Sequence, residues 1–225
     1  WVRLTALIWL LILGIASMVL VTFPGFEVVS LYFSLAIGLL VALACGWFSA
    51  LSLCEARRAG RGRLAGWQRA AGFSLIAAVL PLLIVLVSGL IHGPCDTLAG
   101  LAFYGMGPVV SAISGMAFGG LFGALLPRAG FAIGAFVLVV LGSLLTGLRT
   151  LYQEPAVFAY DLFVGYFPGP IYDDLITIGP AYGWFRVWSL LIACTAVMLQ
   201  WVLIDGRGRF NPTRRLLPWA GLAIG

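Results

Sequence analysis

Apolar residues run almost unbroken along this chain, and what interrupts them is arginine, glycine and proline rather than a regular alternation of polar positions. A hydrocarbon core about 30 Å thick needs about 20 apolar residues as helix. Six stretches meet that length: roughly Leu4 to Val21, Ser30 to Leu53, Ala70 to Ile91, Leu101 to Leu126, Phe131 to Leu148 and Trp184 to Ile204, with a seventh starting near Leu216. Lipid gives the backbone no hydrogen-bond partner, so only helices or closed barrels cross it, and continuous apolar runs argue against the barrel. The pattern predicts an all-α polytopic transmembrane helical bundle of six complete spans plus the start of a seventh. Residues 1–225 read as a single membrane domain, a fragment of a longer chain, with a long extracytoplasmic loop at 149–183.

Composition sharpens this picture. The chain is 62% hydrophobic and only 9% charged, far from the globular range of about 45–50% and about 25%. All thirteen basic residues are arginine and the pI is about 9.3, which in a soluble protein would suggest nucleic acid. Here they cluster beside the spans, so membrane topology explains them and no nucleic-acid partner is expected. Arg57, Arg58, Arg61, Arg63 and Arg69 follow span two, Arg128 follows span four, and Arg207, Arg209, Arg214 and Arg215 follow span six. With Arg3, these place eleven arginines on one side and leave Arg149 and Arg186 on the other. The carboxylates divide oppositely, with Glu27, Asp96, Glu154, Asp161, Asp173 and Asp174 facing Glu55 and Asp205. Both counts predict a cytoplasmic amino terminus and an extracytoplasmic loop 149–183; arginine without lysine, with abundant Ala, Gly and Leu, hints at a bacterial genome, and the expected location is the bacterial inner membrane. The basic loop with Arg57, Arg58, Arg61 and Arg63 is also a candidate site for anionic lipid headgroups, although topology alone accounts for it.

Within the spans, Gly107, Ser111, Gly115, Gly119 and Gly123 recur every fourth residue, a ridge of small side chains against which another helix backbone can lie. Packing inside the bundle is the expected use, and homodimerisation the alternative. Pro81 and Pro108 free the carbonyls of Ala77 and Tyr104 and predict kinks. No span carries an ionisable residue near its midpoint, which argues against an ion pump or proton relay.

The candidate chemistry lies between spans five and six. Residues 153–165 predict a short interfacial or re-entrant helix, with Pro155 in its first turn, Glu154 at its positive end and Gly165 at its stop. Glu154 and Asp161 would share one face. The prolines and glycine of residues 167–172 would then fix Asp173 and Asp174 above the bundle. These four acids are candidate functional carboxylates, to be weighed against pairing with Arg149 and Arg186 or simple solvation. His92, Cys95 and Asp96 are the candidates for a metal site, but their spacing matches no standard zinc pattern, and no metal or cofactor is expected. Cys45 and Cys194 read as packing residues. HExxH, GxSxG, Walker and strand–helix GxGxxG motifs are absent from the sequence.

At Phe158–Asp174, reading FAYDLFVGYFPGPIYDD, the chain resembles a family of uncharacterised polytopic bacterial membrane proteins, some of which continue into an extracytoplasmic zinc-peptidase-like domain. The resemblance covers seventeen residues and assigns no catalytic role. The leading expectation is an integral membrane anchor or scaffold that presents the acidic, aromatic loop to a downstream domain or partner protein. The alternatives are a small-solute permease, suggested by the glycines and prolines, and a membrane enzyme with an outward-facing carboxylate site.

Overall fold

The computed structural model describes residues 2–93, 97–153, 158–168 and 179–203. Six helical spans form an all-α bundle: α1 (Val2–Leu20), α2 (Leu31–Arg58), α3 (Arg63–His92), α4 (Thr97–Tyr104) running through a π-helical turn (Gly105–Val109) into α5 (Val110–Leu125), α6 (Ala129–Gln153) and α7 (Pro180–Leu203). All six are long and apolar enough to cross a bilayer. The ends at Arg58, Arg63, Leu125 and Leu203 belong to one side of the bundle, which we call the arginine side. Those at Leu31, His92, Thr97, Gln153 and Pro180 belong to the hairpin side.

The bundle is built on α2 and α5, which lie backbone to backbone. A Cβ added at Gly115, Gly119 or Gly123 would overlap the carbonyls of Ala42, Gly46 or Ala50. Gly107 meets Ser34, and Ser111 meets Gly38. The partners therefore also recur every four residues and ascend together, so α2 and α5 run parallel and interlock two stripes of small residues. Without a hydrophobic drive between helices in lipid, close van der Waals approach is what holds such a pair. On its other face Gly46 abuts the ring of Phe136 from α6. α1 and α3 pack on one side of this axis. α6 and α7 pack against α5 on the other side, and hardly against each other.

Several span boundaries move by four to seven residues relative to the sequence reading: α2 runs on to Arg58 and α6 to Gln153, the fourth span starts at Thr97, and the starts of α3 and α7 shift too. α3 starts at Arg63, not Ala70, because Arg63 is held within the bundle: its Nη1 donates to the Gln200 carbonyl at 2.9 Å, and its guanidinium stacks 3.9 Å from the Trp201 ring. α7 starts at Pro180, a residue suited to the first helical position, and so takes Arg186 two turns into the span. The two prolines also differ in their effect. Pro108 sits in the π-helical turn, which absorbs the missing donor, while α3 stays helical through Pro81. The Tyr104 hydroxyl reaches across to donate to the Ala78 carbonyl at 2.7 Å, one residue from the carbonyl that Pro81 frees.

On the arginine side, α2 caps α5. Arg57 donates through Nη1 to the Ala124 carbonyl at 2.8 Å and through Nη2 to that of Leu126, Arg58 reaches Pro127, and Cys54 Sγ lies 3.4 Å from the Gly123 carbonyl. These are the orphan carbonyls of a helix end, where positive charge is favourable. Glu55 lies 4.0 Å from Arg61 and 3.6 Å from Arg69 in exposed pairs of little energetic weight.

Candidate functional site: a hairpin clamped inside the bundle

The described part of the long loop is a β-hairpin, correcting the expected helix. β1 (Phe158–Asp161) pairs antiparallel with β2 (Gly165–Pro168), with Asp161 opposite Gly165 and three residues between them. Local chemistry explains the change. Asp161 Oδ1 accepts from the backbone amides of Phe163 at 2.8 Å and Val164 at 2.7 Å, closing the turn. Gly165 then takes φ 105°, a conformation that other residues rarely adopt. The residue expected to stop a helix is the one that lets a hairpin close.

The hairpin is re-entrant. Phe163 is fully buried between Phe118 of α5 and Phe136 of α6, edge-on to both at 5.8 and 6.0 Å. The Val164 carbonyl approaches Gly38 of α2. At 1.5 Å of rise per residue, the contacts with Gly38, Ser143 and Arg186 put the tip about 10–15 Å below the helix ends. Non-helical backbone at such depth persists only where its polar groups find partners inside the protein.

Two buried charges supply those partners. Asp161, 2% exposed, takes the two tip amides on Oδ1 and the Ser143 hydroxyl on Oδ2 at 2.5 Å. Arg186, also 2% exposed, donates from Nη1 to the Leu162 carbonyl at 3.1 Å and from Nη2 to the Val164 carbonyl at 3.3 Å. Its Nη2 also reaches Ser111 Oγ at 3.5 Å and its Nε the Tyr182 hydroxyl at 3.3 Å. The Leu162 carbonyl and the Phe163 amide belong to one peptide group. That single trans peptide is therefore held between the carboxylate and the guanidinium. A Cβ at Gly165 would collide with the guanidinium, so glycine is required there twice over.

Above the tip, Tyr160 stacks on Tyr182 at 6.2 Å and Phe185 at 5.1 Å. Burial, then the neighbouring Tyr182, push the Tyr160 phenol up, so it is a neutral hydrogen-bonding group at ordinary pH. Between α6 and α7, roofed by the hairpin, lies a cleft of about 260 Å³ lined by Ser143, Thr146, Thr150, Tyr160, Trp188 and Ser189 among others.

The remaining candidates fall elsewhere. Asp161 is neither a solvated surface acid nor in direct ion-pair contact with Arg186, because both charges are engaged by the turn itself. Arg149 donates to the Gln153 side chain at 2.9 Å on an exposed face. Glu154, Asp173, Asp174, Cys95 and Asp96 lie outside the described residues. His92 Nδ1 lies 3.0 Å from the Ser88 carbonyl on its own helix. Among the described residues no three His, Cys, Asp or Glu side chains gather as a metal site would require. The sequence reading took Arg186 only as an outer charge able to pair with the loop carboxylates, and missed that it is buried and donates to the hairpin carbonyls. The Gly179–Pro180 start of α7 is the signal that places it inside a span, where an ionisable residue always calls for a named partner. Comparison with protein-family models, with curated proteins and with solved structures finds no match for this chain.

Proposed function

We propose that this chain is an integral membrane scaffold whose bundle fixes the hairpin between α6 and α7 as a platform for a partner protein or a downstream extracytoplasmic domain. The observation that carries this reading is the clamp: Asp161 and Arg186 direct their hydrogen bonds to the hairpin and its supporting hydroxyls. Two charges buried at membrane depth for the sake of one turn make sense if the position of that turn matters. The arginine distribution supports a cytoplasmic amino terminus and an extracytoplasmic hairpin in a bacterial inner membrane. The permease reading has less support, because α2 and α5 meet backbone to backbone along the axis where a translocation path would lie. The enzyme reading loses Asp161, whose two oxygens are both engaged.

The test is site-specific photocrosslinking from position 174 in native membranes. A discrete adduct is expected in the parent protein, and Gly165→Ala, which displaces the guanidinium from the turn, should abolish it while the bundle remains folded. An adduct of undiminished intensity in the variant, or none in the parent, refutes the platform. Impermeant thiol reagents should reach a cysteine at 174 but not one at 61 from outside the cell, and the reverse would overturn the orientation.

A further inference from the structure

We infer that the cleft between α6 and α7 is a binding site for one membrane lipid, selective for headgroups that carry hydrogen-bond donors. The cleft opens between two lipid-facing helices, and two of the apolar side chains that line it, Trp188 and Ile192, are themselves exposed on the surface that contacts the bilayer. At about 260 Å³ it has room for roughly nine groups of water or methylene size, enough for a phospholipid headgroup but not for a helix about 10 Å across. A lipid can place its headgroup there while its acyl chains stay in the bilayer.

The hydroxyls give the selectivity. Ser143 donates to Asp161 Oδ2 at 2.5 Å, Thr146 to the Gly142 carbonyl at 2.6 Å, Thr150 to the Thr146 carbonyl at 3.1 Å and Ser189 to the Phe185 carbonyl at 3.0 Å. A hydroxyl has one proton and two lone pairs, so each of the four has used its donor and offers only acceptors. These four hydroxyls therefore match a headgroup that brings protons, such as the ammonium of phosphatidylethanolamine or the free hydroxyls of phosphatidylglycerol. Phosphatidylcholine, with a quaternary amine and no hydroxyl, brings none. Thr150 lies about one turn inside the end of α6 and Ser189 about 14 Å inside that of α7, so the acceptors span the depth at which headgroup gives way to acyl chain. Leu162, Phe185 and Ile192 supply apolar wall between and around these acceptors.

This inference is independent of the scaffold reading, and its test uses no partner. The whole chain, released from mixed micelles containing equal amounts of the three phospholipids, is weighed by native mass spectrometry. One retained lipid is expected, with phosphatidylethanolamine or phosphatidylglycerol favoured over phosphatidylcholine by about three- to tenfold, the worth of one or two net hydrogen bonds. The double variant Thr146→Val, Thr150→Val alters two exposed positions outside the hairpin clamp and should erase the preference. Equal retention of all three lipids, no retained lipid, or a preference unchanged in the variant would each overturn the assignment.

Discussion

Removing the guanidinium of Arg186 isolates what the clamp contributes. In Arg186→Met the apolar stem still packs between α5 and α7, but the carbonyls of Leu162 and Val164 lose their donors below the membrane surface, and Asp161 loses its compensating charge. Breaking one side of a buried charge arrangement costs about 3–5 kcal/mol. Part of that cost is coupling between the two charges. Contacts of 2.8 and 3.1 Å on opposite ends of one peptide put the carboxylate oxygen and the guanidinium nitrogen about 8 Å apart. At an effective dielectric constant near 20 this separation corresponds to about 2 kcal/mol. The assay is a double-mutant cycle of Arg186→Met and Asp161→Asn, read from reversible unfolding in micelles of rising sodium dodecyl sulfate content. Arg186→Lys, which keeps the charge on a group with fewer donors, should fall between the parent and Arg186→Met. Single costs that add within about 0.5 kcal/mol in the double variant would show that the charges act independently and refute the peptide-bridged arrangement.

Gly119→Val should misfold or lose at least about 3 kcal/mol because its Cβ would occupy the place of the Gly46 carbonyl, whereas Gly130→Ala, with open space around it, should change thermal stability by less than about 0.5 kcal/mol. Arg57→Gln should cost about 1–2 kcal/mol through the uncapped α5 carbonyls, and melting in nanodiscs should show the same loss with neutral as with anionic lipid. A loss confined to anionic lipid would return Arg57 to the headgroup role that the sequence suggested.

The spans were legible because length and hydropathy alone decide what a bilayer accepts. The stripe from Gly107 to Gly123 could be read as a packing surface; its partner, Ser34, Gly38, Ala42, Gly46 and Ala50, has the same four-residue spacing of small residues in the sequence and was passed over there. Hydropathy also misplaced the start of α3, since it counts Arg63 as a loop charge while the fold gives it a carbonyl and an aromatic face, and it began α7 at Trp184, leaving Arg186 at the mouth of the span rather than two turns inside it. The hairpin was misread for a different reason. Pro155, Glu154 and Gly165 are good helix punctuation, but the side chain of Asp161 competes for the local amides and wins. The pattern of aromatic residues before Asp161 and after Gly165 carried that information, and it becomes decisive only once the tip has somewhere to insert.

A seam of equal small steps has no unique alignment: shifted along its axis by one turn, α5 would meet α2 with nearly the same fit. Selection of the observed alignment therefore falls to its ends, where Arg57 grips the last carbonyls of α5, and where the inserted tip touches Gly38 while the Arg186 that holds it reaches Ser111. Loosening either end would leave the two rods joined yet free to ratchet, so these few contacts set the phase of the whole assembly.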